Sequence, residues 1–317
     1  MSLHQLRDQL RLPIISAPMF IVSQPALVIA QCTSGIVGSF PALNARPATQ
    51  LTHWLNEIQS ALTEYQHRYP ERQVAPFAVN LIVHPSNQRL EADLATLVRH
   101  RVPLVITSLH APDQVVEAVH GYGGSVLHDV TTVRHAQRAI KAGVDGLILV
   151  SAGAGGHGGS LSPFAFVNEV RAFYSGPLAL AGAISRGSDI VAARALGADF
   201  AYIGTHFLAA SEAHTDQRYR RMLIEAQAAD IVYTPLFTGV PGNYLAASVR
   251  DSGLDPKALP DQAPEMLTLD DSGVKAWKDV LGAGQGVGTI HQCQPLGEIV
   301  DALETEFSDT LARLTQR

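Results

Sequence analysis

Cysteine is nearly absent from this 317-residue chain, which has only Cys32 and Cys293. Two cysteines close one bridge at most, and neither stands in a CxxC or zinc-like spacing, which argues against a disulfide framework or a structural zinc. Aromatic residues reach only 6%, and charged residues only 16% against a usual share of about 25%. With a net charge of −6 and no basic block, the chain lacks the footprint of a nucleic-acid or anionic-membrane binder. No apolar run approaches the ~18 residues of a membrane helix, and the N-terminal MSLHQLRDQL lacks the apolar stretch of a secretory signal. A soluble cytoplasmic protein is therefore expected.

What the chain has is apolar content, 46%, arranged in short β-branched runs. Eight of them read as strands: IISAPM ending at Met19, GIVGSF at Phe40, APFAVN at Asn80, LVITS at Ser108, SVLHD at Asp129, LILVS at Ser151, LALAGAI at Ile184 and AYIGT at Thr205. Their ends fall 21 to 40 residues apart, room for a strand and a crossover helix each time. Strict alternation is missing, as in parallel strands covered on both faces. The pattern predicts a (β/α)8 TIM barrel, with a doubly wound open sheet as the alternative. Residues 211–290 break the repeat, and the amphipathic stretch from Leu296 to Leu314 reads as the eighth barrel helix. The expected organisation is a barrel from residues 1–210 and 291–317, with 211–290 a smaller, mainly helical lid domain inserted after the eighth strand.

The sharpest local feature follows the sixth strand. Five glycines and His157 fall within Gly153–Gly159, which lets backbone approach a ligand closely while presenting one titratable ring. The segment also matches GxGxxG, but it follows the wrong strand and no acidic ribose partner stands at the next strand end, so a Rossmann site is disfavoured. A phosphate is better placed after strands seven and eight, where Gly182, Ala183, Gly204 and Thr205 offer backbone amides and one hydroxyl. Asn80 offers a mixed donor–acceptor edge suited to a flavin pyrimidine. Of His128 and Asp129 only one can face inward. His206 beside Thr205 reads as structural. GxSxG, HExxH and Walker A patterns, and an HxH on the first strand, are absent.

Taken together, IISAPM, FAVN, SAGAGGHGG, AGAISRGSDIVAARALGADFAYIGTHFLAASEA and KAWKDVLGAGQGVG resemble the nitronate monooxygenase family, formerly the 2-nitropropane dioxygenases, within a superfamily that includes FMN enoyl-ACP reductases. The resemblance implies non-covalent FMN at the C-terminal mouth. It would run Ala17, Pro18 and Met19 beside the isoalloxazine and put Asn80 on its polar edge. Gly155 and Gly156 would approach the cofactor, with Gly182, Ala183, Gly204 and Thr205 on the phosphate. Gln285 and Gly286 would return toward the ring. It makes His157 the active-site histidine, either a cation pairing with a nitronate or a base removing an α-proton. The implied reaction is oxidation of nitronates by O2 to carbonyl compounds and nitrite; the alternative is an NAD(P)H-dependent reductase of a quinone or enoyl thioester. The expected partners are a small-molecule substrate and O2, with a homodimer left open. This chain departs from many relatives at Ser16, Ala154 and Ala183, where they carry glutamine, an acid and glycine.

Overall fold

The computed structural model describes residues 2–260 and 277–316. Its strands are β1 (Ile14–Ser16), β2 (Gly38–Pro41), β3 (Phe77–Val83), β4 (Leu104–Leu109), β5 (Ser125–Val130), β6 (Gly146–Val150), β7 (Gly156–His157), β8 (Leu178–Ala181), β9 (Phe200–Ile203), β10 (Ile231–Thr234) and β11 (Gly242–Leu245). Eight of them form one parallel sheet in the order β1-β9-β8-β6-β5-β4-β3-β2. The ring is closed at β1 and β2, where the Ser16 amide donates to the Val37 carbonyl (2.8 Å) and the Val37 amide to that of Ile14 (3.1 Å). This is the (β/α)8 barrel expected, and each of the eight anticipated strands is present.

Alternate residues of each strand serve two cores. Ile15, Ala78, Ile106, Leu127, Ile148, Ala179 and Phe200 fill the interior, with Leu3 and Leu6 of the N-terminal helix Leu3–Gln9 packed among them. Val79, Val105, Val126, Leu147, Leu149 and Leu180 face the outer helices. Both faces are apolar, which is why alternation is invisible in the sequence. Several strand ends differ from expectation, β8 stopping at Ala181 and not Ile184 and β9 at Ile203 and not Thr205. β1 stops at Ser16 because Pro18 has no N–H to extend a ladder. β3 continues past Asn80 to Val83, since Leu81, Ile82 and Val83 still pair with Thr107, Ser108 and Leu109.

The helix Leu296–Thr315 packs against the helices Gly187–Leu196 and Pro25–Thr33 and completes the outer ring. The chain departs and returns side by side: Ser211 N–H donates to the Gln294 carbonyl (2.9 Å) and Gln294 N–H to that of Ala209 (3.2 Å). Between them, alongside the helices Gln217–Glu225 and Ala246–Asp251, lies a three-stranded antiparallel sheet in the order β10-β11-β7. Its third strand is two residues of the glycine-rich loop, too short for periodicity to reveal. Among the described residues no helix is long and apolar enough to cross a membrane. Both cysteines are free.

At the opposite end of the barrel, buried Asp199 gathers four elements. It accepts from Arg7 (2.8 Å), Arg171 (2.9 Å) and the Leu178 amide (3.0 Å), which fastens the N-terminal helix, the helix Pro163–Arg171 and β8 to the start of β9. Removing the carboxylate leaves the buried Leu178 amide unpaired and takes the shared anion from Arg7, which keeps Asp8, and from Arg171, which keeps the carbonyls of Gly197, Tyr174 and Gly176. Asp199→Ala is therefore expected to lower unfolding stability by roughly 3 kcal/mol in a denaturant titration; a change below about 0.5 kcal/mol would show that water replaces the carboxylate without cost.

Candidate active site at the barrel mouth

The loops after β8 and β9 present donors that the fold does not use. No carbonyl among the described residues accepts from the amides of Ala183, Gly204 or Thr205. The Thr205 hydroxyl oxygen accepts from the Gly284 amide at 2.8 Å, so its own hydrogen remains to be donated. The neighbouring helix Gly187–Leu196 is different. Its leading amides are already taken, those of Ser185 and Arg186 by Asp189 (2.9 Å each) and that of Gly187 by Glu306 (2.9 Å). An anion is thus drawn to the loop amides and not to that helix terminus. Ala183 sits at φ +55°, a left-handed conformation that costs a side chain roughly 1 kcal/mol and that glycine adopts freely. His206 lies beside these loops with its Nδ1 buried and unpartnered; burial moves its pKa down from the ordinary histidine value.

The glycine-rich loop is held rigidly by the chain's return from the insertion. Gln285 N–H donates to the Gly153 carbonyl at 2.9 Å. A Cβ on Gly155 would stand 2.8 Å from the Gly284 nitrogen and 2.9 Å from the Thr205 hydroxyl, which only glycine tolerates. Gly286 abuts the Ala183 carbonyl, from which a Cβ would be 3.1 Å away. On its other side β7 pairs with β11, His157 opposite Gly242 and Gly156 opposite Asn243. Buried Asn243 donates from Nδ2 to the Ala154 carbonyl at 2.6 Å, and Tyr233 donates to the Gly158 carbonyl at 3.0 Å. A mobile surface loop is therefore not what residues 153–158 form.

His157 stands on that pairing with its Nε2 2.8 Å from the Thr238 hydroxyl. With the Thr238 hydrogen on the Val240 carbonyl (3.0 Å), the hydroxyl accepts from His157 and the neutral ring carries its proton on Nε2. Nδ1 is left with a lone pair. Trp277 packs edge-on against the ring at a centroid distance of 5.4 Å. The residue remains exposed, yet its surroundings desolvate the ring enough to lower its pKa from the ordinary histidine value. The imidazole is thereby favoured over the imidazolium.

The inner wall of the mouth carries a directed chain of hydrogen bonds. Asn80 Nδ2 donates to the Ile106 carbonyl (3.1 Å) and to the Ser108 hydroxyl (2.9 Å), and Ser108 donates to Asp129 Oδ2 (2.8 Å). Because a carbonyl only accepts, Ile106 fixes the orientation of the Asn80 amide and leaves Oδ1 free as an acceptor. Asp129 Oδ1 and the hydroxyl of Tyr202 are both buried without a partner. Across the ring, Ala17 N–H donates to Ile203 (2.8 Å), and the segment through Met19 is pinned by Asn44, whose Nδ2 donates to the carbonyls of Met19 (3.0 Å) and Ser23 (2.8 Å). Met19 and Ala17 lie against Gly204.

Comparison with known proteins decides the family. The nitronate monooxygenase family model matches residues 5–306. The chain belongs to the nitronate monooxygenase family. As such it is an oxidoreductase. It is 29% identical to a nitronate monooxygenase of Paraburkholderia phytofirmans over 96% of this chain and 94% of that one, and 26% identical to one of Neurospora crassa over 95% and 90%. Among solved structures it is similar to the nitroalkane oxidase of Streptomyces ansochromogenes (TM-score 0.81, 27% identity, 98% of this chain and 99% of that one). FabK from Thermotoga maritima shares the fold (TM-score 0.79, 23% identity, 98% and 97%).

The structure gathers every residue anticipated from the family's pattern at this mouth: Ala17, Pro18 and Met19 after β1, Asn80 on β3, Gly155, Gly156 and His157 after β6, Gly182 and Ala183 after β8, Gly204 and Thr205 after β9, and Gln285 and Gly286 on the return. Sequence reasoning missed Ser108, Thr238, Asn243, Tyr202 and Trp277. Only their partners identify them, and those partners are distant in the chain. A test of the backbone contact is Gly284→Ala. Its Cβ would meet the Gly155 nitrogen at 2.7 Å and the Gly153 carbonyl oxygen more closely still. Backbone atoms cannot rotate away, so a loss of roughly 1–3 kcal/mol is expected on thermal unfolding; an unchanged melting temperature would mean the return segment is free to shift.

Proposed function

We propose that the protein is an FMN-dependent nitronate monooxygenase that oxidises alkyl nitronates, and nitroalkanes after removal of an α-proton, with O2 to carbonyl compounds and nitrite. The observation that carries this reading is the placement of His157, its Nε2 2.8 Å from the Thr238 hydroxyl and its Nδ1 without a hydrogen bond among the described residues, beside a mouth rich in unused polar atoms. Those atoms suit FMN in kind. The amides of Ala183, Gly204 and Thr205 with the Thr205 hydroxyl would hold its phosphate, and Asn80 Oδ1 would accept from a ring N–H. The pinned backbone of Ala17–Met19 would flank the ring, with Gly155, Gly156, Gln285 and Gly286 allowing close approach. When bound, FMN supplies the electron relay between substrate and O2.

The chain's own residues do the rest. His157 Nδ1 takes the α-proton of a nitroalkane, and the imidazolium so formed stands beside the anion it has produced. Thr238 keeps the ring oriented through both states, because its oxygen accepts from Nε2 whether or not Nδ1 is protonated. The direct test is nitrite release in air, with FMN present, from propionate 3-nitronate or alkyl nitronates. No turnover across that set, together with rapid anaerobic bleaching of the flavin by NADH or NADPH, would assign the protein to the flavin reductases instead.

His157→Asn is expected to keep FMN and to lower turnover of neutral nitroalkanes by roughly 10²-fold or more, with preformed nitronates less affected. Since desolvation lowers the His157 pKa, wild-type turnover of nitroalkanes should rise with pH through a value below the ordinary ~6.5 and stay flat above it. Activity that falls with pH on both substrate forms would mean the imidazolium is the required state. Gly204→Val tests the phosphate cradle. A Cβ there already stands 3.2 Å from that of Ala17, and the two added methyls are expected to expel FMN from a folded barrel; normal flavin content would show that the phosphate lies elsewhere.

A further inference from the structure

Asp129 is a buried carboxyl to which the proposed chemistry gives no task. The β5 pleat sends it inward while His128, next in the chain, turns to the outer helices, where it bonds Thr107 at 2.8 Å. The polarity of the chain leading to Asp129 is fixed at its far end. The Ile106 carbonyl compels Asn80 to donate, Asn80 donates to Ser108, and Ser108 spends its single hydrogen on Asp129 Oδ2. Oδ2 is therefore an acceptor. Any proton on this carboxyl belongs on Oδ1, the oxygen that is sealed from solvent and has no partner among the described residues.

The surroundings favour that proton. Ser108 from β4 and Asn80 from β3 are neutral, Ile148 and Val150 of β6 bring no charge, and the titratable group acting on Asp129 across the mouth is the phenol of Tyr202 on β9, itself pushed well above its ordinary value by burial. No cation among the described residues offsets the desolvation, and burial pushes the Asp129 carboxyl up to about 7. The residue as a whole is only partly covered at the inner wall of the mouth, and Oδ1 is the one end of this hydrogen-bonded chain that the described residues leave unsatisfied.

We propose that Asp129 acts in the barrel mouth as a neutral carboxylic acid and donates its Oδ1 proton to the ligand bound there, to a pyrimidine carbonyl or ring nitrogen when that ligand is FMN. The identity of the acceptor rests on the flavin reading; the protonated acid does not. An ionised Asp129 would instead oppose that acceptor with a negative charge. FMN binding and the Asp129 proton are thus linked: the acid form binds and the carboxylate is excluded. A structural carboxylate that merely anchors Ser108 would show no such linkage.

The experiment compares FMN dissociation constants of the full chain, by fluorescence titration, at pH values across and above the neutral range. The variant is Asp129→Asn, whose amide can accept from Ser108 and still donate from the Oδ1 position. Wild type is expected to weaken as pH rises past its titration, approaching about tenfold for each pH unit, while Asp129→Asn stays flat with an affinity near that of the acid form. Parallel profiles for the two proteins, or a folded Asp129→Asn chain that has lost FMN, would overturn the proposal. If neither protein takes up FMN at any pH, the flavin reading fails and thermal unfolding of the ligand-free chains decides Asp129. A raised carboxyl pKa means the folded chain holds more protons than the unfolded one between the ordinary carboxylate value of ~3.9 and about 7. Wild type should then lose stability relative to Asp129→Asn as pH climbs through that window, and a pH-independent difference would overturn the proton assignment.

Discussion

Three stretches of backbone that are remote in sequence meet at one point: the loop after β6, the turn after β9 and the return from the insertion. Gly155, Thr205 and Gly284 come so close there that a single Cβ on either glycine would collide with main-chain atoms. The rest of the site depends on this contact. It joins the loop that bears His157 to the loops whose amides are unspent, and it leaves Thr205 with a hydroxyl proton to give away because Gly284 has occupied its oxygen. The other edge of the glycine loop is fixed by β11 and by Asn243. A segment that would be costly to order in isolation is thus ordered by two neighbours before any ligand arrives, which is the sense in which the site is preorganised.

The two ends of the barrel treat polar groups in opposite ways. At the bottom, Asp199 is saturated by Arg7, Arg171 and a backbone amide, and it fastens elements together. At the mouth, Asp129 Oδ1, the Tyr202 hydroxyl and the amides of Ala183, Gly204 and Thr205 are left without partners. An unpaired buried polar atom costs about 1–3 kcal/mol, so Asp129 Oδ1 and the Tyr202 hydroxyl persist where something other than folding makes use of them, beside amides that solvent can reach. The left-handed Ala183 adds backbone strain at the same place. Polar groups are spent on holding elements together at one end of the strands and left unspent at the other.

Much of this was legible in the sequence because parallel strands covered on both faces announce themselves as short continuous apolar runs. The barrel, its eight strands and the closing helix Leu296–Thr315 followed from that pattern, and the glycine-dense segment marked where backbone approaches backbone. The small sheet β10-β11-β7 was not legible. Its pairing of Gly156–His157 with Gly242–Asn243 uses glycines and polar residues whose order comes from tertiary contact and not from propensity. Nor could spacing find Thr238, since what makes it matter is that Val240 consumes its hydrogen and so sets the tautomer of a histidine 81 positions away.

His128 and Asp129 show how finely the pleat divides roles. One residue of register sends the histidine outward, where burial first and His135 second push its pKa down to about 4, and sends the acid inward, where burial pushes its pKa up to about 7. Desolvation works on both in the same direction, toward the uncharged form, although one is a base and the other an acid. With Tyr202 also held neutral and His157 favoured as imidazole, burial biases the three groups at the mouth, Asp129, Tyr202 and His157, toward their uncharged forms. For an anionic substrate that matters more than any one contact. An ionised carboxylate in so dry a place would repel a nitronate over several ångströms with little solvent screening, whereas a neutral mouth leaves the backbone amides and the histidine to set the local field.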